Sequence, residues 1–318
     1  MTRLTTMPRR VRFLIAGLAI ALLLAAVSSA PADAHAIRGE TPRIAVVSAF
    51  APELAILQGE LEGAKSQSVN GVAFTTGALE GRDVVLFLSG ISVVNAAMTV
   101  QLALDHFTIE RIVFSGIAGG VDPGLNIGDV VIADRWGQYL EMLFAREVDG
   151  GWMTMPFFEY PHANFGMMFP RSVSVLRPGA EAPETRFWFP VDEALLSSAG
   201  SAANDVTLAR CTAGDRCLEE APKIVVGGSG VSGSAFIDNA AFRTWAFETF
   251  GARVLDMESA AVAHVAYAND VPFLAVRSLA DLAGGGEGAN QMEVFLGLAA
   301  GNAAAVVKTL LRAMPGEN

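Results

Sequence analysis

Residues 43–57 read RIAVVSAFAPELAIL, and this stretch decides the fold. Its first half, IAVVSAF, is apolar without the every-second-residue alternation of a half-exposed strand, so it suits a strand covered on both faces. The second half opens at Pro52, whose missing N–H costs nothing in a first helical turn. A buried strand running straight into a helix is the working unit of an α/β fold. The same signals recur downstream. They predict strands at 43–50, 72–78, 84–89, 111–115, 129–133, 224–226, 253–256 and 273–277, with a turn at Glu80-Gly81. Helical spacing marks 52–61, 94–106, 240–250, 258–268 and 291–313. The predicted class is α/β, with helices on both sides of a largely parallel sheet.

Composition narrows the function classes. The chain has 318 residues, 52% apolar and 17% charged, with two cysteines, which excludes a disordered chain and a disulfide scaffold. With 22 Lys plus Arg against 33 Asp plus Glu, the net charge of −11 opposes binding to phosphodiester backbones, so no nucleic-acid partner is expected.

The N-terminus has a different logic. Arg3, Arg9, Arg10 and Arg12 precede an unbroken apolar run over 13–27, and Ala32-Asp33-Ala34 follows as an A-x-A site. These parts predict a signal peptide over 1–34, cleaved near Ala34, and a periplasmic or extracellular protein free of the membrane. An uncut anchor is the alternative, although a span needs about 20 apolar residues. The mature part, 35–318, would carry 18 basic residues against 32 acidic.

Between 137 and 222 the strand–helix rhythm stops, and aromatics and prolines dominate; this is read as an insertion on a single domain. Cys211 and Cys217 lie inside it with five residues between them. An oxidising compartment favours a disulfide there, whereas a nucleophilic thiol would need a nearby base and a metal would need more ligands.

Glycine clusters fall at predicted strand ends: SGIS at 89–92, SGIAGG at 115–120, GGSGVSGS at 227–234 and GGGEG at 284–288. In open α/β sheets, ligands bind beyond the carboxyl ends of strands. No phosphate-loop or dinucleotide fingerprint accompanies these clusters, so no cofactor and no metal are expected.

The segments IAVVSAFAPELAIL, LSGISVVNAAM, FSGIAGGVDPGLNIGDVVIAD, SGSAFIDN, VLDMESAAVAHVAYANDVPF and AVRSLAD occur in an order that resembles the purine nucleoside phosphorylase/nucleosidase superfamily. The resemblance is to the 5′-methylthioadenosine/S-adenosylhomocysteine nucleosidases in particular, over about 43–136 and 224–313. It implies a three-layer α/β/α domain around a mixed, twisted sheet, a purine nucleoside substrate and a homodimer. It also implies roles. Asp281 would protonate the purine at N7, Glu53 would orient the attacking water, and Glu258 would hold the ribose hydroxyls. Met257, Ala118 and Gly119 would lie at the sugar, Phe236 would stack on the base, Ile237 would meet the base edge, and Arg277 would sit near Glu53.

Taken as residues alone, Glu53 and Glu258 also suit first helical turns and Asp281 a cap. Ile117 and Ala280 stand where the family often has Ser, and Ser234 where many members have Asp. The family's specificity segment falls near Trp136 and Tyr139. Phosphorylases on this fold bind phosphate through arginines, and SAFAPE and Phe114 stand in those places here. Hydrolysis is therefore expected over phosphorolysis, with a non-enzymatic binding or storage protein as the further alternative.

Overall fold

The first strand, β1 (Gly39–Ser48), runs directly into α1 (Ala51–Gln58), as the opening sequence stretch requires. The computed structural model describes residues 39–286 and 288–314; the predicted signal peptide lies outside the described residues. After α1 come β2 (Glu62–Val69), β3 (Val72–Leu79) and β4 (Arg82–Leu88), then α2 (Val93–His106) and β5 (Phe107–Gly120). Two short strands, β6 (Val130–Ile132) and β7 (Arg135–Gln138), precede the irregular segment.

That segment is more ordered than its composition suggests. It folds into three two-stranded pieces: β8 (Met142–Phe144) with β11 (Met168–Pro170), β9 (Arg146–Val148) with β10 (Gly151–Met153), and β12 (Val173–Val175) with β13 (Glu184–Arg186). Next, β14 (Trp188–Pro190) pairs with β7 at the edge of the main sheet, and α3 (Glu193–Ala202) follows. Three-residue strands carry too little alternation to be seen in sequence. The chain then continues through β15 (Ile224–Val226), β16 (Ser229–Ser232), α4 (Ala240–Phe250), β17 (Ala252–Asp256), α5 (Ser259–Ala268), β18 (Phe273–Asp281) and α6 (Met292–Ala313).

Twelve strands form one mixed sheet, with its main path β14-β7-β16-β17-β5-β1-β4-β3-β2. β18 joins through β5 and β6, and β15 through β6. Parallel pairs such as β1 with β4 and β5 sit beside antiparallel ones, including β17 with β5 and β18 with β6, so the sheet is mixed rather than largely parallel. On one side α6 packs on β18 and β5 with α1 and α3 against it; on the other, α2 packs on α5, which covers β16 and β7. The layers are α/β/α. α6 is long and apolar enough to span a membrane, yet most of it is buried in this core.

Three sequence expectations change. β2, EGAKSQSV, was not predicted, because an exposed polar edge strand has no hydrophobic pattern to read. SGIAGG, expected as a loop after 111–115, is the second half of β5. There the strand pairs with β18 and then with β17, and glycines let those neighbours and their side chains approach. The strand expected at 273–277 likewise continues to Asp281, so Asp281 ends the strand instead of following it.

Candidate active site

Glu53 enters the site by way of a helix start. Its Oε2 accepts the Ala49 and Phe50 N–H groups at 3.1 and 3.0 Å, which caps α1. Its Oε1 crosses to β5 and accepts the Ile117 N–H at 2.9 Å. Glu53 therefore serves as a helix-start residue and also lines the cavity of the site. Burial raises its pKa, opposed by the Arg277 charge and the three N–H groups.

Arg277, on β18, is the hub. Its Nε makes an ion pair with Asp256 Oδ2 at 2.7 Å and donates to Ser259 Oγ at 2.9 Å. Its two terminal nitrogens donate to the Ile117 carbonyl at 3.2 Å and to Glu258 Oε2 at 3.4 Å. The guanidinium lies over the Phe114 ring, 4.1 Å from its centre. Gly116 is required between them: a side chain's first carbon there would collide with this guanidinium and come within 2.9 Å of Glu53 Oε1.

Glu258 stands immediately before the first turn of α5, two residues past the end of β17, and its side chain makes no capping hydrogen bond there. Its Oε1 accepts the Ser92 N–H at 2.8 Å, and burial pushes its pKa up to about 7 despite the neighbouring Arg277. Ser92 holds that N–H in place from a left-handed backbone (φ 85°), a costly conformation for a residue with a side chain. Below Glu258, Asp256 accepts the Glu258 and Ser259 N–H groups, each at 3.1 Å, together with the Ser232 hydroxyl. Sequence reasoning missed Asp256 and Ser92. The signal for Asp256 was available, because an acid ending the apolar strand VLD is buried and must be paired.

Asp281 stands apart from this network. A bulge between Leu279 and Asp281 sets it opposite Gly119, and its Oδ1 accepts the Ala283 N–H at 2.6 Å. Burial raises its pKa, against the Ala283 and Asn290 hydrogen bonds and with the Asp238 charge.

All nine residues singled out for catalysis or binding line one cavity of about 240 Å³. Glu53, Glu258, Arg277 and Asp281 form its polar wall, and Ala118, Gly119 and Met257 lie among them. Phe236, 53% exposed, and Ile237 stand at the mouth. Phe50, Ile91, Met292 and Leu296 add an apolar side that the sequence did not reveal. Trp136 and Tyr139 do not line it: both are fully buried, Tyr139 against Phe242. His264 is also structural, stacked on Phe189 and bonded to Gln138. Cys211 and Cys217 are joined by a disulfide. Among the described residues no cluster of His, Cys, Asp and Glu could hold a metal ion.

Buried acids around an apolar cavity at the carboxyl ends of α/β strands define a site for acid–base chemistry on a small ring-bearing ligand. Residues 43–312 match the family model of the Phosphorylase superfamily, and the chain belongs to that family. It is 32% identical over 271 residues to the 5′-methylthioadenosine/S-adenosylhomocysteine nucleosidase of Mycobacterium tuberculosis, covering 84% of this chain and 96% of the relative. The enzyme of that name from Bacillus anthracis is 33% identical over 247 residues, 76% of this chain and 87% of its own. Among solved structures, the Neisseria meningitidis nucleosidase in complex with methylthio-immucillin-A superimposes with a TM-score of 0.62 at 24% identity, over 86% of this chain and 99% of that one. The futalosine hydrolase of Helicobacter pylori shares the fold as well, with a TM-score of 0.61 at 19% identity over 86% of this chain and 98% of its own.

Proposed function

We propose that this protein is an exported purine nucleosidase that hydrolyses the N-glycosidic bond of an adenosine bearing a 5′-alkylthio group, of the 5′-methylthioadenosine or S-adenosylhomocysteine type. One observation carries this reading: Glu53, Glu258 and Asp281 converge on a single cavity whose one cationic side chain, Arg277, is already bound to protein acids.

Breaking the bond from C1′ to the purine leaves positive charge on the ribose and negative charge on the base. Asp281, whose burial favours the protonated acid, gives its proton to N7, so the base departs neutral. Glu258 accepts hydrogen bonds from the ribose 2′ and 3′ hydroxyls and faces the growing positive charge. Water attacks C1′ while Glu53 takes its proton. The products are the free base and a sugar with an anomeric hydroxyl. Phe236 covers the purine face, and the backbone at Ile237 meets its edge. The apolar side made by Phe50, Ile91, Met292 and Leu296 suits an alkylthio group better than a phosphate.

Phosphorolysis would need a free cation for the phosphate. Arg277 is occupied, and Phe114 lies beneath it. Export rests on the basic start, the apolar run and the Ala32-Asp33-Ala34 site, and a disulfide between Cys211 and Cys217 suits an oxidising compartment. The mature enzyme would be one domain from about His35, with 137–222 as its insertion. The exposed apolar residues Val94 and Met98 on α2, close in sequence to Ile91 of the cavity, favour a homodimer with this helix at its interface.

The test is a panel of nucleosides incubated with purified mature protein, with and without phosphate. Free base with free sugar, independent of phosphate, is expected. A sugar 1-phosphate would mean phosphorolysis, and no base release would leave a binding protein.

A further inference from the structure

A second cavity, of about 760 Å³, lies on the other side of Asp281, which lines both. The start of α6 divides them: Met292 and Leu296 face the first, whereas Gln291, Val294 and Phe295 face the second. Its far wall is the turn closed by the Cys211–Cys217 disulfide, contributing Arg216, Leu218 and Glu220. That turn belongs to the 137–222 segment, where the resemblance to the nucleosidases stops.

The location has a chemical consequence, which rests on the assignment of Asp281 as the N7 acid. N7 and the substituent on C6 share one edge of a purine. A base presenting N7 to Asp281 therefore brings its 6-amino group beside the same carboxyl, which also lines the second cavity. We propose that the second cavity is a subsite for a substituent on the 6-amino nitrogen, and that the enzyme cleaves N6-substituted adenosines as well as unsubstituted ones.

The lining also specifies the substituent. Among the described lining residues Glu219, Glu220 and Asp238 face Arg216 as the charged groups, Asp281 being the protonated acid, and Asn126, Asn290 and Gln291 add neutral hydrogen-bonding groups. This excess of negative charge selects neutral polar or cationic substituents and disfavours anionic ones. Because most of these side chains are exposed, a long chain could run out to water.

The experiment compares 5′-methylthioadenosine with its N6-(6-aminohexyl) and N6-(5-carboxypentyl) derivatives, by kcat/KM, on the full mature protein. The aminohexyl substrate is expected within about tenfold of the parent, and the carboxypentyl one about tenfold below the aminohexyl. Ala289→Trp, at an exposed position on the cavity wall, should lower the aminohexyl value by more than about tenfold and leave the parent within about twofold. Glu220→Lys, also exposed, should narrow or reverse the preference for amine over carboxylate. Rejection of both derivatives by an enzyme that cleaves the parent would overturn the subsite. So would an Ala289→Trp effect equal on parent and derivative. Failure to cleave the parent would overturn the nucleosidase reading, and the subsite with it.

Discussion

At the floor of the cavity β17 and β18 both pair with β5, and Asp256 at the end of β17 and Glu258 just beyond it lie against the buried Arg277. The 137–222 segment meets the sheet at one edge, through β14 and β7, and is otherwise closed by short hairpins. It is fastened by rings: Phe187 stacks on Phe250 of α4, and Trp188 and His162 pack edge-on around them. The difference separates two kinds of constraint. On the floor the buried acids Asp256 and Glu258 share Arg277 and fixed backbone N–H groups, so a change in one residue strands another in a dry place. In the segment, contacts are spread over many rings and over ion pairs nearer the surface such as Arg171–Glu141 and Arg177–Asp270, so sequence can drift while packing is kept.

The comparison is broken most directly at Glu53. Glu53→Gln keeps the shape of the side chain but removes the group that takes the proton from water, and turnover is expected to fall by about 10²–10⁴-fold with nucleoside binding still measurable. Near-normal turnover in a folded variant would reduce Glu53 to its capping role. Arg277→Met should be the costliest change to stability. It leaves Asp256 and Glu258 buried without their counter-ion, a loss of about 3–5 kcal/mol by chemical denaturation. A loss under about 1 kcal/mol would show that the floor tolerates change as the segment does.

Protonation provides a third test. Glu258 binds its proton more tightly in the folded chain, at about 7, than the ordinary 4.5. Its favourable contribution is therefore complete at low pH and is lost as pH rises from about 4.5 to about 7, flattening above. The midpoint of thermal unfolding should fall over that window, and Glu258→Gln should flatten the fall. The smallest effect is expected in the segment. Replacing Cys211 and Cys217 by Ser opens a short ring on the wall of the second cavity and outside the first, so turnover of 5′-methylthioadenosine should change by less than about twofold while the melting temperature drops by a few degrees. A large loss of turnover would tie the segment to the floor.

The same contrast explains what could be read from the sequence. β1 and α1 were legible because an apolar run and Pro52 are local signals. Glu53, Glu258 and Asp281 were legible because the motifs around them resemble a known family. Asp256 and Ser92 were not singled out, since their importance lies in partners on other elements: Arg277 and Ser232 for one, Glu258 for the other. The apolar side of the cavity was hidden for the same reason. Phe50, Ile91, Met292 and Leu296 come from three distant stretches, and each alone looks like an ordinary apolar residue. Trp136 and Tyr139, near the family's specificity segment, are core.

The central claim is that Asp281 delivers a proton to the departing base, and the most direct measurement compares two leaving groups in Asp281→Asn. Asparagine can keep a hydrogen bond to the base but has no proton to give. Release of adenine from 5′-methylthioadenosine is expected to fall by about 10²–10⁴-fold, while a nitrophenyl riboside, whose phenolate leaves without protonation, should be cleaved at close to the unmodified rate. Equal losses on both substrates would contradict the account, showing that Asp281 holds the sugar or the strand end and that the acid is another group.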